Sequence, residues 1–148
     1  MKILIDADGC PVRQITEEIA KEYHIPVVIV SNIHHQIKSD DALVITVDSG
    51  RDMADHEILK RTSKNDLIIT QDYGLASLIL MKNAYALHQD GWFYTENNID
   101  MLLMQRQIGQ KMRQAKKRYK HIPKRKGEDD LLFSKTLRKF LDDRRTKE

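Results

Sequence analysis

Cysteine is almost missing from this chain of 148 residues: Cys10 stands alone. That excludes an internal disulfide framework and any multi-thiolate metal site, and it fits a reducing cytoplasm. No apolar stretch approaches the roughly 20 residues that span a membrane. The N-terminus carries one lysine and then enters an apolar run, so no signal peptide is expected. Zinc-ligand spacing, a phosphate-binding glycine loop and internal repeats are also missing. Acidic residues are absent from one long stretch: between Met101 and Gly127 there are ten basic residues and no acidic one.

That gap exposes an asymmetry that the net charge of +3 hides. Residues 1–100 hold nine Lys/Arg against sixteen Asp/Glu, a net of −7, and residues 101–148 hold sixteen against six, a net of +10. An acidic body with a basic C-terminal part points to an anionic partner, nucleic acid first. The run Arg106–Lys126 lacks the interspersed acids of a salt-bridged helix. It reads either as a solvated face or as a phosphate-contacting one, with Arg113, Lys116 and Lys117 as candidate contacts.

What is present is a series of short, β-branched, nearly continuous apolar runs: Lys2–Asp6, Pro26–Ser31, Leu43–Val47, Asp66–Thr70 and Tyr85–Leu87. Such runs suit parallel strands covered on both faces. Helical patterns fall between several of them, at Pro11–Tyr23, Arg51–Arg61 and Tyr73–Lys82. The alternation implies a three-layer α/β domain whose central sheet is mainly parallel, with about five strands. Asn32–Ala42 reads as a polar loop. A further helix is expected from Glu96 to about Tyr119, with Ile99, Leu102, Leu103 and Arg106 on one face. Residues 121–130 read as an exposed basic linker, Leu131–Asp142 as a last amphipathic helix with Phe133, Leu137, Phe140 and Leu141 inward, and 143–148 as frayed. The α/β domain is thus expected over residues 1–120, with 121–148 packing back on it.

Ligands of open parallel sheets bind beyond the carboxyl ends of the strands. Asp6 and Asp8 fall there, two residues apart and therefore on one face. Like charges so close resist ionisation unless a cation sits between them. All-oxygen ligands of this kind suit Mg²⁺ or Mn²⁺. Asp8-Gly9 reads equally as a turn, with Asp8 capping the helix near Pro11. Ser31, Asn32, His34 and His35 follow the second strand, Asp48 the third, and Thr70 and Asp72 the fourth. Asp52 and Asp55 open a helix, as ligands or as cap and first-turn acid. Asp72 suits a cap and a ligand role together. Asp66 precedes its strand, at the opposite edge, and reads as structural. His34 and His35 read as solvated, with a ligand or phosphate-contact role as the alternative; Cys10 reads as a packing residue, with a nucleophile as the alternative; and Trp92, Phe93 and Tyr94 read as packing at the sheet edge, with base stacking as the alternative.

Four blocks together, Ile3-Leu-Ile-Asp-Ala-Asp-Gly-Cys-Pro11, Gly50-Arg-Asp-Met-Ala-Asp-His-Glu-Ile58, Asp66-Leu-Ile-Ile-Thr-Gln-Asp72 and Tyr94-Thr-Glu-Asn-Asn-Ile99, resemble the bacterial YaiI/YqxD family (UPF0178, DUF188). The resemblance covers roughly residues 1–100 and implies a PIN-like fold, in which clustered acids hold divalent metal for nuclease chemistry. It implies that Asp6, Asp55 and Asp72 are the catalytic acids, with Asp8 and Asp52 as added metal ligands. A glutamate frequent in PIN-like domains has only Glu17 or Glu18 as its counterpart.

The combined expectation is a Mg²⁺- or Mn²⁺-dependent nuclease acting on single-stranded RNA or DNA, with Asn32 and Thr70 orienting water or phosphate. Two rivals stay open. One is a haloacid-dehalogenase-type phosphatase with Asp6 as nucleophile and Asp8 as acid/base. The other is a non-catalytic RNA-binding protein.

Overall fold

A computed structural model describes residues 1–50, 52–114 and 125–147. The five apolar runs form the strands β1 (Ile3–Asp6), β2 (Val27–Asn32), β3 (Leu43–Val47), β4 (Leu67–Ile69) and β5 (Tyr85–Leu87). All neighbours pair in parallel, in the order β3-β2-β1-β4-β5. The helices are α1 (Arg13–Glu22), α2 (Met53–Arg61), α3 (Tyr73–Met81), α4 (Glu96–Gln114) and α5 (Gly127–Lys147). Among the described residues no helix is long and apolar enough to cross a membrane.

The continuous apolar character of the strands has a direct cause: alternate residues serve two cores. Ile3, Ile5, Val27, Ile29, Leu67 and Ile69 meet Ile19 and Ala20 of α1 and Phe133, Leu137 and Leu141 of α5 on one face. Leu4, Val28, Val30 and Ile68 meet Ile58 of α2, Leu75, Ala76 and Ile79 of α3, and Ile99 of α4 on the other. Each fully buried aliphatic side chain contributes about 1.5–3 kcal/mol by leaving water.

The order of strands places the site. The chain moves outward from β1 through β2 to β3, then returns to the far side of β1 with β4 and β5. The winding direction reverses between β1 and β4, where a crevice opens at the carboxyl ends. Ile5 pairs with Ile69, so Asp6 and Thr70 leave the sheet side by side.

Several local expectations need correction. Helix α1 starts at Arg13, not Pro11, and its N-cap position is Val12, with no side-chain cap. Val12 is fully buried, and holding it in the core delays the first turn. The connection between β2 and β3 is not wholly solvated, because Ile37 and Ala42 pack against the α1 side and Ser39 Oγ donates to Glu17. In α4, Leu103 is exposed rather than inward, while Ile99 is buried and Leu102 half-buried. The expected continuation to Tyr119 lies outside the described residues.

The linker ends sooner than expected. Helix α5 begins at Gly127, with Glu128, Asp129 and Asp130 in its first turn, where the helix dipole favours them. Arg125 fixes the approach: its guanidinium donates to Asp130 (2.8 Å), Asp90 (2.7 Å) and the Gln89 carbonyl (2.8 Å). Residues 143–147 continue the helix instead of fraying, and the Arg144 guanidinium lies over the rings of Tyr85 and Phe140 (4.4 and 4.8 Å). At Gly91, φ is +88° and a β-carbon would stand 3.0 Å from the Leu132 and Phe133 backbone, so only glycine lets α5 approach β5 this closely.

Candidate active site

Asp6 shares with Leu4 the sheet face that α2 and α3 cover, and it ends β1 at the crevice. Its Oδ2 accepts the Thr70 hydroxyl at 2.9 Å. The same hydroxyl oxygen accepts the Asp72 backbone N–H at 3.0 Å. Thr70 is itself buried, and its carbonyl accepts the Tyr94 hydroxyl at 3.1 Å. A threonine therefore fixes the acid of β1 to the start of α3, and its hydroxyl faces protein rather than solvent.

Asp72 caps α3 as expected: its Oδ1 accepts the N–H groups of Gly74 (2.9 Å) and Leu75 (3.2 Å). That leaves Oδ2 for the cleft. Asp52 occupies the N-cap position of α2 with φ +63°, a left-handed conformation that aspartate tolerates, but its side chain makes no cap hydrogen bond. Asp55 lies in the first turn of α2.

Asp8 does not cap α1. It accepts the Asn32 side-chain amide (3.2 Å) and, at 3.5 Å, the Asn32 backbone N–H. His35 Nδ1 lies 3.6 Å from the same carboxylate. Asn32 also accepts the His34 N–H at 2.8 Å, which folds the chain after β2 around it. The turn after Asp8 needs Gly9, whose φ is +70°; a β-carbon there would stand 3.1 Å from the Gln71 amide.

These side chains border one cleft of about 240 Å³, lined by Asp6, Asp8, Asp48, Asp52, Asp55 and Asp72 together with Asn32. Asp48 lies at the edge foreseen for it, exposed after β3, yet it was no candidate; its place beyond a strand was the available signal. Among the described residues lining the cleft there is no lysine or arginine. The carboxylates are therefore poorly neutralised. The Asp6 pKa is pushed up to about 6, mainly by burial, against the lowering effect of the Thr70 hydrogen bond and with added repulsion from Asp55, Asp72 and Asp8. Asp55 is also pushed up to about 6, by burial first, then by the charges of Asp72 and Asp52 and a hydrogen bond shared with Asp72. Among the described residues, no group of three or more His, Cys, Asp or Glu side chains is placed to hold a metal ion.

Other candidates lie elsewhere. Glu17 pairs with Arg13 (2.6 Å) and takes the Ser39 hydroxyl, and neither it nor Glu18 borders the cleft. Asp66 is buried at the opposite edge, bound by the Lys2 ammonium (2.6 Å) and the N–H groups of Lys2 (3.1 Å) and Ser63 (2.8 Å). Cys10 packs half-buried against the core on the α1 side. The side chain of Arg113, and Lys116 and Lys117 entirely, lie outside the described residues. Sequence reasoning missed the Tyr94 hydroxyl, which holds the Thr70 backbone from inside the core.

The family model described as "Uncharacterized BCR, YaiI/YqxD family" matches residues 4–143. A UPF0178 protein of Alkaliphilus oremlandii is 56% identical over 143 residues, covering 97% of this chain and 92% of that one. One of Natranaerobius thermophilus is 50% identical, covering 95% and 96%. Another, of Ruminiclostridium cellulolyticum, is 43% identical, covering 95% and 92%. Among solved structures, the crystal structure of Rae1 (YacP) from Bacillus subtilis is similar at 19% identity and a TM-score of 0.46, covering 97% of this chain and 99% of that one. With the four sequence blocks now gathered around one parallel sheet and its crevice, the chain belongs to the YaiI/YqxD family (UPF0178, DUF188).

Proposed function

We propose that this protein is a Mg²⁺- or Mn²⁺-dependent nuclease that hydrolyses phosphodiester bonds of single-stranded RNA or DNA in the cytoplasm. One observation carries the reading. Acids from β1, the start of α2 and the start of α3 meet in one crevice, with too little positive charge around them.

The donor set fits a hard divalent cation. It offers oxygen only, from Asp6, Asp8, Asp52, Asp55 and Asp72, and only the Oδ2 of Asp6 is taken up by Thr70. When bound, the metal supplies Lewis-acid charge at the phosphate and lowers the pKa of a bound water. Asp6, held by Thr70, gives a fixed ligand at the crevice floor. Asp55 is a stronger base than an ordinary carboxylate, first because it is buried and then because Asp72 and Asp52 repel its charge, so it can take a proton close to neutral pH. A hydrogen bond to Asp72 holds the Asp55 carboxyl in the cleft. Asn32 orients Asp8, and Thr70 acts as the tether of Asp6 rather than as a phosphate contact. The basic run with Arg113, Lys116 and Lys117 attracts the substrate backbone without reading its sequence.

The phosphatase alternative requires a lysine beside Asp6, and among the described residues lining the cleft none is present. The test is cleavage of labelled single-stranded RNA by purified protein with Mn²⁺. Activity is expected to vanish with chelator and to fall to background in Asp6→Asn. Undiminished cleavage by that variant would overturn the reading.

A further inference from the structure

Strand β5 ends two strand widths from β1, about 10 Å across the same carboxyl edge. The chain there turns back on itself: the His88 N–H donates to the Trp92 carbonyl (2.9 Å), and Gly91 donates to His88 (3.0 Å). This tight turn stacks the His88 imidazole on the Trp92 indole, with ring centroids 4.4 Å apart and planes 9° from parallel. The Tyr94 ring meets the indole edge-on at 4.7 Å. Tyr94 in turn holds the Thr70 carbonyl, so this aromatic group is built into the frame that holds Asp6 and Asp72.

Packing explains Tyr94, which is buried, and Phe93, which lies against Phe140 at 5.2 Å. Trp92 packs in part against the core on the α2 and α3 side, but packing does not cover all of it. It is half-buried, with His88 stacked on the indole and Tyr94 at its edge. The half-buried turn beneath it is braced: Arg125 donates to both Asp90 and the Gln89 carbonyl. Burial lowers the pKa of His88, so the ring on the indole is the neutral imidazole, a flat surface without charge. A rigid, half-exposed indole backed by a second ring has the form of a base-stacking surface, since every base has a π-face.

We propose that Trp92, backed by His88, stacks a base of the bound strand close to the phosphate held at Asp6, Asp55 and Asp72. The inference rests on the nucleic-acid reading of the cleft. It assigns that strand a path along the sheet edge from β1 across β4 to β5.

Trp92 is the chain's single tryptophan, so its fluorescence reports this contact without any substitution. The full chain is titrated with oligothymidylate and with an abasic strand of equal length, using Ca²⁺ in place of Mn²⁺ and excitation where the five tyrosines do not absorb. Strand binding is followed independently by anisotropy of a dye on the oligonucleotide. Oligothymidylate is expected to quench Trp92 and to bind several-fold tighter than the abasic strand. Trp92→Leu is expected to weaken binding of oligothymidylate about tenfold and to leave the abasic strand unaffected. Binding by anisotropy without quenching, and with equal affinity for both strands, would overturn the stacking role and leave the nuclease reading standing. No binding of either strand would overturn both. The quenching measurement uses the unsubstituted chain, so a poorly folding variant does not blunt the test.

Discussion

Thr70 and Asp6, 64 positions apart in the chain, are joined by a 2.9 Å hydrogen bond between hydroxyl and carboxylate. The bond opposes the burial that raises the Asp6 pKa, while the same oxygen holds the N–H of Asp72. Thr70→Val keeps the shape and removes both contacts. It is expected to lower stability by about 1–2 kcal/mol and to move the Asp6 titration further upward. Denaturant unfolding and carboxyl-carbon NMR titration check these, and Thr70→Ser should restore both.

Asp6 is also a stability cost at neutral pH. Its folded pKa of about 6 exceeds the ordinary 3.8, so the folded state binds the extra proton between these values. Stability is therefore lost as pH rises from about 4 to 6 and stays lost above, with an upper figure of about 3 kcal/mol. Asp6→Asn keeps an acceptor for Thr70 and removes the charge. At pH 8 the variant should melt higher than the wild type, and the difference should shrink towards pH 4. Under the metal reading, Mn²⁺ raises the wild-type midpoint and leaves the variant's nearly unchanged.

Asp66 behaves in the opposite sense. Burial alone would raise its pKa, but the Lys2 side chain and the N–H groups of Ser63 and Lys2 outweigh it, and the pKa is lowered. Its contribution is present above about pH 4 and lost as pH falls below that. Asp66→Asn is expected to cost about 2 kcal/mol at pH 7. In urea unfolding the loss should vanish in acid.

Gly91→Ala tests the seat of α5. The new methyl would meet the Leu132 and Phe133 backbone at 3.0 Å, in a left-handed conformation as well. Destabilisation of about 2–3 kcal/mol is expected. Gly127→Ala is the control, since nothing lies within 4 Å of its β-carbon; it should change the unfolding midpoint little.

Much of this architecture was legible locally. Ile3–Asp6 announces itself as a buried strand because a short run of apolar residues can serve two cores at once, and Leu43–Val47 and Tyr85–Leu87 carry the same signal although they lie at the two edges of the sheet, where Leu43–Val47 stays partly exposed. The helices between them follow from 3.6-residue periodicity, and Asp72 was readable as a cap from its place before Tyr73. Less legible were the starts of α1 and α5, where a buried Val12 and an anchored Arg125 override local signals.

The α/β class, the acids at the carboxyl ends of the strands and the charge asymmetry are readable from the chain alone, since each depends on neighbours a few residues apart. That Asp8 turns to Asn32 instead of capping α1, and that Asp52 occupies a cap position without capping, follow from the folded contacts alone. The fold alone tied Asp6 to Thr70 and placed the Tyr94 hydroxyl behind it. These outcomes depend on pairing across β1, β2 and β4, and on burial. Both are set by contacts between residues tens of positions apart, which no local periodicity encodes.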